Sequence, residues 1–229
     1  RMAGWDEPQQ GIPALEWEVW PEPDQLEAFS GTACFDFDRG LDGYAWVFPK
    51  QDHLSVGLLS LYRGRPGLVA RLERYLEHSG ITRIRRLERH GSTIPIRPRH
   101  DGFVRDGVLL VGDAAGLTDP VTCEGISHAV ISGKLAADVL LEERFDRDRA
   151  PRIYSAELRR TLLRELRYAR LLARALYQPL LRRTMFRRAG QEFCEAMTEV
   201  ILGRWSYREL LSRPSNFMEL LRRWIERRS

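Results

Sequence analysis

The hydrophobic positions of this chain change period as it runs. Between residues 15 and 60 they alternate with polar ones: "ALEWEVW", "ACFDFD", "GYAWVFP" and "HLSVGLL" follow one another with Gly and Asp between them. Period two is the signature of strands with one covered face, and it predicts an antiparallel sheet. Asp52 falls where a hairpin turn would join the last two runs. Pro66-Gly67 then opens a short helix, with Leu68, Leu72, Tyr75 and Leu76 on one face and Gly80 as its stop. Residues 81–97 read as a further strand and a loop containing Pro95, with Pro98 just beyond.

From residue 106 the period changes. Asp106-Gly107 predicts a turn, and Val108 to Val111 a short buried strand. A helix is expected over 124–142, where Ile126, Ala129, Val130, Gly133, Ala136, Ala137 and Leu140 keep helical spacing. The small residues among them suit close approach to a sheet. Residues 150–229 read as helical. Leu158, Leu162, Leu166, Ala169, Leu172, Ala173 and Leu176 form a stripe with arginines around it. Pro179 interrupts that pattern, and Gly190, Gly203 and Pro214 mark later breaks.

The 229 residues suffice for one large domain or two small ones. No run of eighteen apolar residues predicts a membrane span, and no signal peptide is visible at the start. The chain opens on Arg1, which suggests a piece of a longer protein. Cys34, Cys123 and Cys194 are far apart and odd in number, so they read as reduced thiols of a cytosolic protein. Net charge is +4, and every basic residue except Lys50 and Lys134 is an arginine. Many lie after residue 146, where they form either an ordinary solvated face or a surface for a polyanion such as an anionic membrane face or nucleic acid.

The candidate chemistry sits in "VLLVGDAAGLTDPVTCEGISHAV", residues 108–130. A strand ending in Gly112-Asp113 would put a carboxylate at a sheet's carboxyl edge, where open α/β sheets bind ligands. An ionised carboxylate is acceptor-only and suits a hydroxyl-rich partner. Gly112, Ala114, Ala115 and Gly116 leave room for a large ligand to touch backbone. The free N–H groups of the following helix favour negative charge in front of it. The plainer alternative is that Asp113 caps a turn.

The longer string "GDAAGLTDPVTCEGISHAVISGKLAADVL" resembles the second FAD-binding motif of para-hydroxybenzoate-hydroxylase-like flavoproteins, and within them the geranylgeranyl reductase family. "GYAWVFPKQDHLSVGLL", residues 43–59, is similar to a second segment of that family. The resemblance covers about residues 30–142. It implies an α+β fragment of an α/β flavoprotein: an antiparallel substrate-binding sheet domain over 1–105, the carboxyl-terminal part of an FAD-binding domain over 106–146, and a helical region over 147–229. The family's amino-terminal Gly-x-Gly-x-x-Gly is not in this sequence, so the chain resembles a carboxyl-terminal part.

By the same resemblance Asp113, flanked by Gly112 and Ala114, would accept a hydrogen bond from the FAD ribityl chain. Pro120 would lie beside the isoalloxazine, and Gly125 and Ile126 would offer N–H groups to its N1–C2=O edge. Tyr44, Trp46 and Phe48 would shape an apolar substrate cavity; without the resemblance they read as sheet core. Cys123 stands where the family usually has glycine. The implied activity is reduction of isolated C=C bonds in a polyprenyl lipid or a prenylated pigment or quinone. NAD(P)H or ferredoxin would be the external electron donor, with possible peripheral membrane contact and no nucleic acid. A flavin monooxygenase or halogenase of the same fold, and a non-enzymatic basic helical module, remain the alternatives.

Overall fold

A computed structural model describes residues 5, 11–37, 43–61, 64 and 66–212. Contacts group the chain into two compact units, Gly11–Ile94 and the remainder (Arg1–Gln10 with Pro95–Ser229). The pattern of the sequence divides the chain in three, and the contacts put the last two of those parts in one unit with a shared core. Phe103, Ala115, Leu117, Ala136 and Val139 pack into one cluster with Tyr154, Leu158, Leu162 and Leu166. The Gly-Asp segment and the first part of the helical region therefore bury their apolar surface together.

The first unit is the alternating region realised as a sheet. Its strands are β1 (Gly11–Pro21), β2 (Cys34–Asp36), β3 (Ala45–Pro49), β4 (Leu54–Leu59) and β5 (Ile84–Pro95), in the order β2-β3-β4-β1-β5. The pairs β2–β3, β3–β4 and β1–β4 are antiparallel. Alternation puts Trp17, Val19, Ala45, Val47, Leu54, Val56 and Leu58 on one face, where Leu72, Tyr75 and Leu76 of α2 (Leu68–His78) cover it. Gly67, left-handed at φ 81°, precedes α2, as Pro66-Gly67 predicts. Asp52 is in the β3–β4 hairpin, which the Lys50 N–H closes on the His53 carbonyl at 2.8 Å. A one-turn helix α1 (Pro23–Glu27), which the periodicity does not predict, begins with Pro23 in its first turn.

In the second unit Asp106-Gly107 does turn the chain, at φ 50° and 80°. The strand after it is a correction. β7 is only Val108–Leu109, paired antiparallel with β6 (Val104–Arg105), and Val108 is 43% exposed. A run of branched residues becomes a buried central strand only between two neighbouring strands; here one neighbour of two residues is present among the described residues. Beyond the ladder, Leu110 is held by its N–H to the Phe103 carbonyl and by the Tyr154 hydroxyl, which donates to its carbonyl at 2.6 Å.

Helix α3 (Ile126–Glu142) forms where expected, but a different face is buried. Ser132, Ala136 and Val139 are inside, whereas Ile126 is 79% and Val130 66% exposed and Gly133 has open space around it. Apolar residues cover every side except that of Ser127, Lys134, Asp138 and Glu142, a stripe too wide for periodicity alone to say which part of it is inside.

α4 (Arg149–Leu158), a π-helical turn (Arg159–Leu163) and α5 (Arg164–Leu176) make one rod, and the expected leucine and alanine stripe is its buried side. Pro179 starts α6 (Pro179–Ile201) from its first position. Gly190 is a second correction: α6 runs through it, and the Phe186 side chain lies 3.5 Å from where a Cβ would be. A single interior glycine costs about 1 kcal/mol and does not end a long packed helix. Gly203, at φ 69°, does follow the helix end, and α7 (Tyr207–Ser212) completes the unit. Pro214 lies outside the described residues. No helix among those described is long and apolar enough to cross a membrane.

Candidate functional site

The Gly-Asp segment is a single 3-10 turn, Gly112–Ala115, entered from extended Val111 and left through Gly116 at φ 69°. Both glycines answer to close approaches. A Cβ on Gly112 would meet the Ala129 Cβ of α3 at 2.8 Å, and one on Gly116 would meet the Arg97 carbonyl oxygen at 2.1 Å. The Gly112 N–H donates to Ser132 Oγ at 3.0 Å, and that hydroxyl donates on to the His128 carbonyl at 2.6 Å. Ser132 thus bolts the turn to α3 from a buried position. The Ser132-Gly133 pair lies within the string that resembles the FAD-binding motif, but its local pattern does not reveal this contact.

This geometry holds Asp113 and Ala114 at the surface. Asp113 Oδ1 accepts a hydrogen bond from Thr118 Oγ1 at 2.7 Å, and a Cβ on Gly125 would lie 2.9 Å from the same oxygen. The carboxylate therefore stands directly against the N-cap residue of α3, and glycine is the residue type that lets it. Gly125 and Ile126 offer N–H groups that find no partner within the protein among the described residues. Of the remaining first-turn donors, Ser127 N–H goes to Glu124 Oε1 at 2.7 Å. Gly112 and Asp113 are thus brought against the start of α3, at Ala129 and at Gly125 respectively, with Ala114 exposed next in the chain and Ile126 exposed at the first position of the helix. Pro120 is buried on the packed side of the following loop.

Sequence reasoning missed what holds that loop. Asp119 is buried; its Oδ1 accepts the Val121 and Thr122 N–H groups at 2.7 and 3.2 Å, and its Oδ2 accepts the Tyr207 hydroxyl at 2.6 Å. Tyr177 adds a second anchor, donating to the Val121 carbonyl at 2.6 Å. The Asp-Pro dipeptide was the only local signal. Tyr207, 88 residues away, carried none. Burial raises the Asp119 pKa above its usual value, against the three hydrogen bonds and the nearby His128, which lower it.

Cys123 is left-handed at φ 57°, a conformation that favours the glycine usual in the resembled motif. Burial, and then the Asp119 charge, push its thiol well above the ordinary range, so the thiolate needed for nucleophilic chemistry is disfavoured. Removing left-handed strain gains about 1–2 kcal/mol and glycine's chain entropy returns about half of it. Cys123→Gly should therefore hold or raise the urea midpoint, whereas Cys123→Val should lower it.

Tyr44, Trp46 and Phe48 belong to the sheet unit. They lie on the face away from α2, in a row with ring centroids 5.9 and 6.1 Å apart, and Phe35 completes the group 5.1 Å from Phe48. Tyr44 is buried and Trp46 and Phe48 are partly exposed.

No family model matches the chain. It is 36% identical over 102 residues to the digeranylgeranylglycerophospholipid reductase of Methanothrix thermoacetophila, covering 44% of this chain and 26% of that protein. It is 32% identical over 124 residues to digeranylgeranylglycerophospholipid reductase 2 of Methanothermobacter thermautotrophicus, covering 53% and 30%. The matches thus span about a quarter to a third of the length of these relatives. Among solved structures, a geranylgeranyl bacteriochlorophyll reductase-like protein of Thermoplasma acidophilum superposes with a TM-score of 0.60 at 23% identity, over 78% of this chain and 46% of that one. That likeness establishes the fold: a mixed α+β arrangement of antiparallel sheet and helices. Over about half its own length, the chain is thus similar to digeranylgeranylglycerophospholipid reductases.

Proposed function

We propose that this chain acts in an FAD-dependent reduction that saturates isolated double bonds in the polyprenyl chains of a lipid. The observation that carries the reading is the exposed Asp113 carboxylate set against the N-terminus of α3, with the Gly125 and Ile126 N–H groups unspent. The arrangement fits the cofactor. An acceptor-only carboxylate suits the hydroxyls of the ribityl chain, and a helix N-terminus favours negative charge on the flavin's pyrimidine edge. Bound and reduced, the flavin would supply the hydride that, with a proton, saturates the alkene.

The protein's own contribution is binding and placement. Asp113 grips the polyol, and Thr118 orients the carboxylate by donating to one of its oxygens, leaving the other as acceptor. Gly112 and Gly116 hold the turn against α3 and the Arg97 backbone, so the carboxylate cannot swing with a flexible loop. In the sheet unit, the row Tyr44, Trp46, Phe48 offers an apolar surface of the kind a prenyl chain requires, since such a chain presents almost no polar group to bind. The exposed Ile126 and Val130 on α3 support the view that more of the protein packs here, because the apolar stripe of a helix is normally covered.

The test is flavin affinity of the full-length protein, read by fluorescence quenching. Asp113→Ala should weaken FAD binding at least tenfold, the range expected when a charged acceptor is removed. Its melting temperature without flavin should be unchanged, because the side chain is at the surface. Unaltered FAD affinity would remove Asp113 from the site.

A further inference from the structure

The second unit carries two grooves lined by arginine, and they share one residue. The first, about 560 Å3, lies between the β6–β7 turn and α4 and is lined by Arg105, Arg147, Arg152, Ser155 and Arg159. The second, about 230 Å3, continues along the rod between Arg99 and His100 on one side and Arg159, Arg167 and Arg170 on the other. On the rod, Arg152, Arg159, Arg167, Arg170 and Arg174 recur at intervals of one to two turns, and the π-helical turn lies in the middle of the run.

The nearby carboxylates are largely committed elsewhere. Glu157 takes Arg160, Glu143 takes Arg149, and Glu165 accepts the Tyr207 N–H. Asp101 takes Arg99 through two oxygens at 2.9 and 2.7 Å. Asp146 accepts the N–H groups at the start of α4 and lies near Arg152, and Asp106 lines the first groove. Among the described residues, Arg97, Arg159, Arg167, Arg170 and Arg174 make no ion pair. Burial and then Arg167, Arg174 and Arg97 lower the Arg170 pKa, as expected where like charges crowd without a counter-charge.

We propose that these two grooves form a docking surface for the phosphodiester headgroups of an anionic lipid bilayer. Guanidinium forks match phosphate oxygens in pairs. Leu171, between Arg170 and Arg174, is 55% exposed, as is Leu181 near the start of α6; an acyl layer offers apolar side chains a partner that nucleic acid does not. The choice of a bilayer also rests on the proposed reading that the substrate is a lipid, whereas the uncompensated arginines stand without it.

The experiment uses full-length protein and sedimentation with vesicles of equimolar phosphatidylglycerol and phosphatidylcholine. Binding should be absent with phosphatidylcholine alone and should be lost at about 0.5 M salt. The triple variant Arg152→Gln/Arg159→Gln/Arg167→Gln should partition at least tenfold more weakly at an unchanged melting temperature, since each basic residue near such a surface contributes several-fold. The corresponding triple lysine variant, which keeps the charge, should bind. Equal recovery with neutral vesicles, or a glutamine variant that binds as wild type, would overturn the proposal. So would tighter capture by duplex RNA than by vesicles, or saturation by soluble short-chain phosphatidylglycerol, which would mark a single-headgroup site. Reduction of detergent-solubilised prenyl lipid separates the two readings. A glutamine variant that keeps this activity but loses vesicles supports the surface. A wild type that binds vesicles but reduces no lipid sinks only the proposed function.

Discussion

Gly57→Ala should destabilise the sheet unit by about 3 kcal/mol or more, read as a fall in the urea midpoint at unchanged slope. Gly57 sits on β4, the central strand, opposite Trp46 on β3 and Glu16 on β1. A methyl group there would stand 2.1 Å from Trp46 Cζ2 and 2.5 Å from the Leu15 carbonyl oxygen. The indole could swing aside, but the carbonyl belongs to the β1 backbone, where only a shift of the strand makes room. Overpacking that side chains can absorb costs about 1–3 kcal/mol, and a backbone clash in a central strand goes to the top of that range or past it. The substitution also probes function. Glycine lets the Trp46 ring lie against the strand, so displacing the ring alters the aromatic row proposed for the prenyl chain. Trp46→Ala in the Gly57→Ala background should recover part of the lost stability, because it removes one of the two clashes. No recovery would place the whole cost on the backbone.

Tyr207→Phe should cost about 2–3 kcal/mol and change the pH dependence of stability. The hydroxyl donates to a buried carboxylate, so its loss leaves Asp119 Oδ2 with no partner in an apolar cluster that includes Val121, Ala169 and Leu176. The sign of the pH effect follows from the direction of the shift. Burial puts the folded pKa of Asp119 above its ordinary value near 3.8. The folded state then holds the proton more tightly than the unfolded one, and stability falls as pH rises from about 3.8 toward the raised folded value. Removing a hydrogen bond that favours the charged form raises the folded pKa further, so the variant should lose more stability over that window and beyond it. Asp119→Asn should flatten the same part of the curve. Urea midpoints measured from pH 4 to 8 for wild type and both variants would show it; parallel curves for wild type and Tyr207→Phe would contradict the assignment. Because Tyr207 holds the loop of residues 119–124, which leads into the N-cap of α3, the same variant connects the helical region to the Asp113 site.

What was legible in the sequence was what depends on near neighbours along the chain. The alternation of "ALEWEVW" and "HLSVGLL" foretold strands of the correct face, because period two and a single covered face leave one register for the apolar set. Pro66-Gly67 and Gly80 bracketed α2 by backbone conformation alone. The turn at Gly112-Asp113 and the helix start near Gly125-Ile126 were legible because small residues and a free helix end are local features, whereas their roles toward a ligand came from the family resemblance. What only the tertiary structure decided was contact at a distance. Val108–Val111 looked like a buried strand, yet burial depends on neighbouring strands that a local pattern does not contain. The inner face of α3 was settled by Gly112 and Ser132 meeting 20 residues apart, since an apolar stripe that wide has no preferred centre line. The Asp119–Tyr207 bond was invisible for the same reason: periodicity and motif report on local backbone preference, whereas a buried charge finds its donor wherever the folded chain brings one.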